Sequence, residues 1–162
     1  MIKEKNVEFS MTRFFLCLLL CVGGGWLTGL LTQHGVKVWY PQLIKAHGTP
    51  PDIVFPIVWT LLYICMAISL TLLWSSERKF DKSLAFSLFG IQLFLNFIWS
   101  WAFFYLQSPS FALIDISFLW FFILLTILSF WKHTRIGSYL LIPYLLWVSY
   151  AFYLNLFIWI YN

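Results

Sequence analysis

The chain has 162 residues, of which 62% are apolar and 22% aromatic, while only 10% are charged. No soluble domain of this size has an interior large enough to take up that much apolar side chain. The formal charge of +4, from ten Lys and Arg against six Asp and Glu, could suggest a nucleic-acid partner, but the basic residues stand at the ends of apolar stretches, the pattern of a membrane topology.

Crossing a hydrocarbon core of about 30 Å takes roughly 20 helical residues. Residues 14–36 and 53–76 carry no charge, and each is long enough for one span. The uncharged run from Ser83 to Ile114 is too long for a single span, and it contains Gln107-Ser108-Pro109-Ser110. It therefore reads as two helices broken near Pro109. The second of these continues to Trp131 with Asp115 as its one charge, and residues 136–162 supply the last span. The expected fold is an all-α integral membrane protein, a single five-transmembrane-helix bundle over residues 1–162 with spans at about 12–32, 51–75, 83–106, 109–131 and 137–160.

The first apolar run follows Lys3, Lys5 and Arg13, as in a secretory signal peptide, but it is too long and no Ala-x-Ala site follows it. Counting Lys and Arg by connection gives eight on the face carrying the N-terminus, among them Arg78, Lys79, Lys82, Lys132 and Arg135, against Lys37 and Lys45 on the other. The positive-inside rule then predicts a cytoplasmic N-terminus and an external C-terminus in a bacterial cell membrane.

Cys17, Cys21 and Cys65 lie inside spans and read as small packing residues, with no partner evident for a metal. His34, His47 and His133 are placed in connections. There is no nucleophile motif, phosphate loop or metal signature, so hydrolytic and phosphoryl-transfer chemistry is not expected. Gly23, Gly24, Gly25 and Gly29 form a small-residue patch suited either to packing within the bundle or to a homodimer contact. Trp39, Tyr40, Trp74, Tyr105, Trp131, Tyr139, Trp159 and Tyr161 fall near span ends and are expected to anchor the chain at the lipid interface.

A polar and aromatic set lies deeper. Trp59 and Tyr63 are four apart on the second span, Asn96 and Trp99 three apart on the third, and Tyr144, Trp147, Ala151 and Asn155 share a face of the fifth, where Ala151 leaves a gap between bulky neighbours. The topology brings Trp59, Asn96, Trp99 and Asp115 to the less basic half of the bilayer, with Trp147 near mid-depth. That is the composition of an apolar pocket with a few polar groups, set against ordinary aromatic packing between helices. Asp115, ionisable and inside a span, is a functional candidate facing the bundle interior, or else sits close enough to the helix start at Pro109 to stay hydrated.

The segments Trp39-Tyr-Pro-Gln-Leu-Ile-Lys45, Pro50-Pro51 and Val54-Phe-Pro-Ile-Val-Trp59-Thr-Leu-Leu-Tyr63 resemble the signature of the translocator protein, or tryptophan-rich sensory protein, family (TspO/MBR). The likeness continues through Gln92, Leu95-Asn96, Trp99-Ser100, Phe103-Phe104, Ala112-Leu113-Ile114-Asp115, Pro143-Tyr144, Trp147, Ala151 and Leu154-Asn155. It implies a five-helix bundle, often dimeric, whose cavity binds porphyrins such as protoporphyrin IX and haem, and in some members cholesterol or synthetic aromatic ligands. The family's cavity tryptophans correspond to Trp59, Trp99 and Trp147, and its small residue on the fifth helix to Ala151. Some bacterial members are reported to degrade protoporphyrin in light, which makes Trp59 and Trp147 the candidates for a catalytic part, because an indole stacked on a photoexcited macrocycle can donate an electron.

Three departures from the family pattern stand out. Ala46 and Gly48 replace a Pro and a Trp in the first connection, so the lid over the pocket is expected to be looser. Phe111 stands where some members place another cavity Trp. The chain continues Leu154-Asn-Leu-Phe without the Tyr and Arg of the proposed cholesterol motif, which argues against sterol binding. The resemblance implies a membrane-embedded porphyrin-binding sensor or regulator of tetrapyrrole metabolism, needing no cofactor, with porphyrin and membrane lipid as its partners. The alternatives are a transporter of porphyrin or sterol-like ligands, for which five unequal spans show no repeat, and a light-dependent protoporphyrin-degrading enzyme.

Overall fold

The computed structural model describes residues 10–77 and 81–162. Lys3, Lys5, Arg78 and Lys79, on which the expected orientation partly rests, lie outside the described residues. Five helices long and apolar enough to cross a membrane follow one another: α1 Met11–Gln42, α2 Val54–Ser75, α3 Ser83–Tyr105, α4 Pro109–Trp131 and α5 Arg135–Tyr161. The described residues contain no strand. Large apolar side chains such as Leu19, Leu61, Phe118 and Leu146 point outward, which only a lipid solvent tolerates in such number. The chain is an integral, multi-pass membrane protein of the all-α class.

The helices begin and end where local chemistry dictates. Ser108 caps α4, its hydroxyl accepting from Phe111 N at 3.5 Å, with Pro109 at the first helical position, where a missing N–H costs nothing. The tight turn before it places Gln107 at a φ of 51°. Thr134 caps α5 in the same way through Gly137 N at 3.2 Å. Pro143 lies inside α5 and takes one donor out of the helical ladder there.

Helix α1 extends to Gln42 rather than ending near residue 32, and it is not uniform. Two π-helical turns, Leu19–Gly23 and Gly35–Trp39, interrupt it, and a short 3₁₀ turn, Tyr40–Gln42, closes it. His34 consequently sits on the helix and not in a connection. At about 1.5 Å per residue the helix is longer than the hydrocarbon core is thick, so its last turns, with Lys37, Trp39 and Tyr40, reach the interface. A third π turn, Trp101–Tyr105, ends α3.

Helices α2, α5, α4 and α3 pack in that order side by side, and α1 completes the bundle. Its residues 11–23 lie against α2, while residues 24–34 pack on the end of α3. The glycine patch explains the crossing. A Cβ on Gly24 would meet the Phe97 ring at 2.6 Å, and one on Gly25 the Tyr63 ring at 2.2 Å, so both glycines admit neighbouring aromatic side chains within the bundle. Gly29 has open space beside it. Basic residues mark the other end of the bundle: Arg13 lies over the Trp74 ring at 5.6 Å and donates to Ser75 Oγ at 3.3 Å, and Arg135 lies over Trp131 at 5.7 Å.

Candidate functional site

Where α1 leaves α2 a cavity of about 540 Å³ opens, at the end of the bundle away from the Arg13 and Arg135 belt. Its walls come from α1, the start of α2, the end of α3 and the last three turns of α5. Trp59 and Tyr63 enter from α2, with ring centroids 5.8 Å apart. Trp99 enters from α3 and lies 6.2 Å from Trp59, and it stacks on Phe103 at 5.5 Å with an interplanar angle of 22°. Phe55, Phe104 and Tyr40 complete an aromatic enclosure, and Ala151 keeps the α5 side open.

Two hydrogen-bond chains hold these rings. Tyr63 Oη donates to Asn96 Oδ1 at 2.6 Å, and Asn96 Nδ2 donates to Tyr144 Oη at 3.0 Å. Trp99 Nε1 donates to Asn155 Oδ1 at 3.0 Å, and Asn155 Nδ2 donates to the Pro109 carbonyl at 2.8 Å. Each asparagine is buried and joins three helices, so the fixed ring positions follow from satisfying a buried amide at both ends.

The first connection closes the end of the cavity. Asn162 clasps Ile44, accepting from its N–H at 3.0 Å and donating to its carbonyl at 3.3 Å. Tyr150 Oη donates to the Gly48 carbonyl at 2.8 Å. Gly48 adopts a φ of 91°, a conformation that a side chain disfavours. Lys45 lies over the Tyr40 ring at 4.3 Å and pairs with Asp52 at 3.8 Å. The altered positions 46 and 48 thus stand in a connection pinned at several points.

Of the ten residues expected at a pocket, six line this cavity: Trp59, Tyr63, Asn96, Trp99, Ala151 and Asn155. The other four stand apart from it. Tyr144 is fully buried and reaches the cavity through Asn96 and through an edge contact with Trp59 at 6.2 Å. Trp147 lies behind Phe55, 6.0 Å from that ring, with its indole N–H buried and unpartnered among the described residues. Asp115 faces the bundle interior, 5% exposed, with Oδ2 unpartnered among the described residues. Phe111 points outward, 43% exposed. The contribution of α1, including Gly25, Gln33, Lys37 and Tyr40, was not anticipated. The Trp99-Phe103 spacing of four was the sequence signal for the second aromatic wall.

A five-helix membrane bundle with an aromatic, amide-braced cavity at one end defines the class. Residues 17–160 match the TspO/MBR family, and the chain belongs to it. It is 43% identical to the Tryptophan-rich protein TspO of Chlorobaculum tepidum over 141 residues, covering 86% of this chain and 89% of that protein. It is 32% identical to the Tryptophan-rich sensory protein of Cereibacter sphaeroides, over 93% of this chain and 90% of the relative. Similarity reaches the human Translocator protein, at 29% identity over 83% of this chain and 82% of that protein.

Proposed function

We propose that the protein is a membrane-embedded porphyrin-binding protein acting as a sensor or regulator of tetrapyrrole metabolism. The observation that carries this reading is the cavity itself, whose volume of about 540 Å³ falls within the ~300–1,000 Å³ usual for small-molecule sites. Its walls are the faces and edges of Trp59, Trp99, Tyr63 and Phe103, suited to a flat conjugated ligand. Family membership supports the same reading. Trp59 would stack on the macrocycle, and Asn96 and Asn155 would hold Tyr63 and Trp99 in place around it.

The test is a titration of the purified protein with protoporphyrin IX in the dark and under illumination. Saturable quenching of tryptophan fluorescence in the dark, without loss of porphyrin absorbance, is the expected result for a binding protein. Light-dependent loss of absorbance that requires the protein would move the reading to a porphyrin-degrading enzyme, and no saturable quenching would refute both.

We further infer a bacterial cell membrane with the N-terminus cytoplasmic, from the excess of Lys and Arg on one face. A reporter fused after Asn162 should be active outside the cytoplasm and one inserted near Arg78 inside it. Reporters active on the same side would contradict that orientation.

A further inference from the structure

We propose that Lys37 is the anion anchor of the cavity, with Gln33 beside it, so that the site selects amphipathic aromatic ligands bearing a carboxylate at one edge. The inference rests on the reading of the cavity as an aromatic-ligand site and adds which chemical form of the ligand it takes. Lys37 and Asp52 are the two charged residues lining the cavity. Asp52 is already paired with Lys45 at 3.8 Å, and Lys45 is itself seated over Tyr40. Lys37 makes no hydrogen bond, ion pair or ring contact with any described residue. It is therefore the one cation on the cavity wall available to a ligand.

The depths of the cavity offer nothing comparable. Both ends of the Asn96 amide and both ends of the Asn155 amide are engaged within the protein. The Thr32 and Thr60 hydroxyls donate to carbonyls of their own helices. A charged group forced among Trp59, Trp99 and Phe103 would lose its hydration without gaining a partner, which is costly. At the open side the situation reverses. Gln33 and Lys37 are four apart on α1 and share a face, both are exposed, and both border the cavity. An ammonium and an amide thus flank the place where the rim of a flat ligand would emerge toward the interface. A carboxylate there keeps partial hydration and gains a charge-assisted hydrogen bond.

Protoporphyrin IX and its dimethyl ester share one macrocycle and differ in the two carboxylates, so they separate the anchor from the aromatic walls. The full chain, purified in neutral detergent, is titrated with each, together with Lys37→Gln, Lys37→Arg and, as a distant charge control, Lys132→Gln. The parent, the Arg variant and the control should favour the diacid about fivefold. Lys37→Gln should lose that preference by weakening the diacid while leaving the diester unchanged. Equal affinity of the parent for both forms, or a preference that survives in Lys37→Gln, overturns the anchor, and the latter result would mean that Lys37 serves only the lipid interface. Failure of both forms to bind the parent would instead overturn the aromatic-ligand reading, and the anchor with it.

Discussion

Replacing Gly35 with Ala is expected to destabilise the bundle by about 3 kcal/mol, at the upper end of what overpacking costs. A Cβ there would stand 1.8 Å from the Phe104 carbonyl oxygen and 2.7 Å from its carbon. Backbone faces backbone at this point, where the second π turn of α1 meets the π turn ending α3, and no side chain can turn aside. The helices must separate, and the separation would also displace Phe103 and Phe104 from the cavity wall. Gly25 differs in kind, because the Cβ there meets the Tyr63 ring, which can tilt at the expense of its bond to Asn96. Gly29→Ala has open space and should be neutral or stabilising by up to about 1 kcal/mol, since it removes glycine's backbone freedom from a helix. Thermal unfolding in detergent distinguishes the three. A Gly35→Ala protein that melts with the parent would show that α1 and α3 do not meet as described.

The largest effect on ligand binding is expected from Trp59. Its indole touches Tyr63, Trp99 and Tyr144 and lines the cavity directly, and an aromatic stacking contact contributes about 0.5–1.5 kcal/mol beyond the area it buries. Trp59→Phe should raise the dissociation constant for protoporphyrin IX roughly three- to tenfold. Trp147→Phe should have a smaller effect, transmitted through Phe55. Trp74→Phe, at the Arg13 end, should leave affinity alone. Any light-driven bleaching should fall further than binding does in Trp59→Phe, because electron donation needs the indole. If Trp59→Phe binds and bleaches as the parent does, the aromatic cluster is packing and not a ligand wall.

The sequence carried the span count plainly, because charge is excluded from the hydrocarbon, and Pro109 divided the third long run correctly. It also carried the α2, α3 and α5 sides of the cavity, since Trp59 with Tyr63, Asn96 with Trp99, and Ala151 with Asn155 recur at helical spacing. The α1 side was hidden for a physical reason. In lipid both faces of a helix are apolar, so its hydropathy does not reveal which face is turned inward, and the π turns shift the spacing on which any face is read. Lys37 looked like the end of a span, yet the helix continues past it because that segment has reached the interface. On α5, Tyr144, Ala151 and Asn155 lie nearly in line at 3.6 residues per turn, whereas Trp147 is about 60° to one side. That offset turns it toward Phe55, a distinction finer than shared-face spacing resolves.

The paired π turns of α1 have a consequence for how this helix tolerates insertion and deletion. Each accommodates an additional residue without breaking the helix, so Leu19–Gly23 works as a phase shifter between a segment keyed to α2 and a segment keyed to the end of α3. Removing one residue from it would restore α-helical winding and rotate everything beyond by about 100°. Gly24, Gly25 and Gly35 would then no longer meet Phe97, Tyr63 and Phe104, although composition and hydropathy would scarcely change. In this helix, length counted residue by residue is under tighter constraint than chemical character, the reverse of the usual expectation for a membrane span.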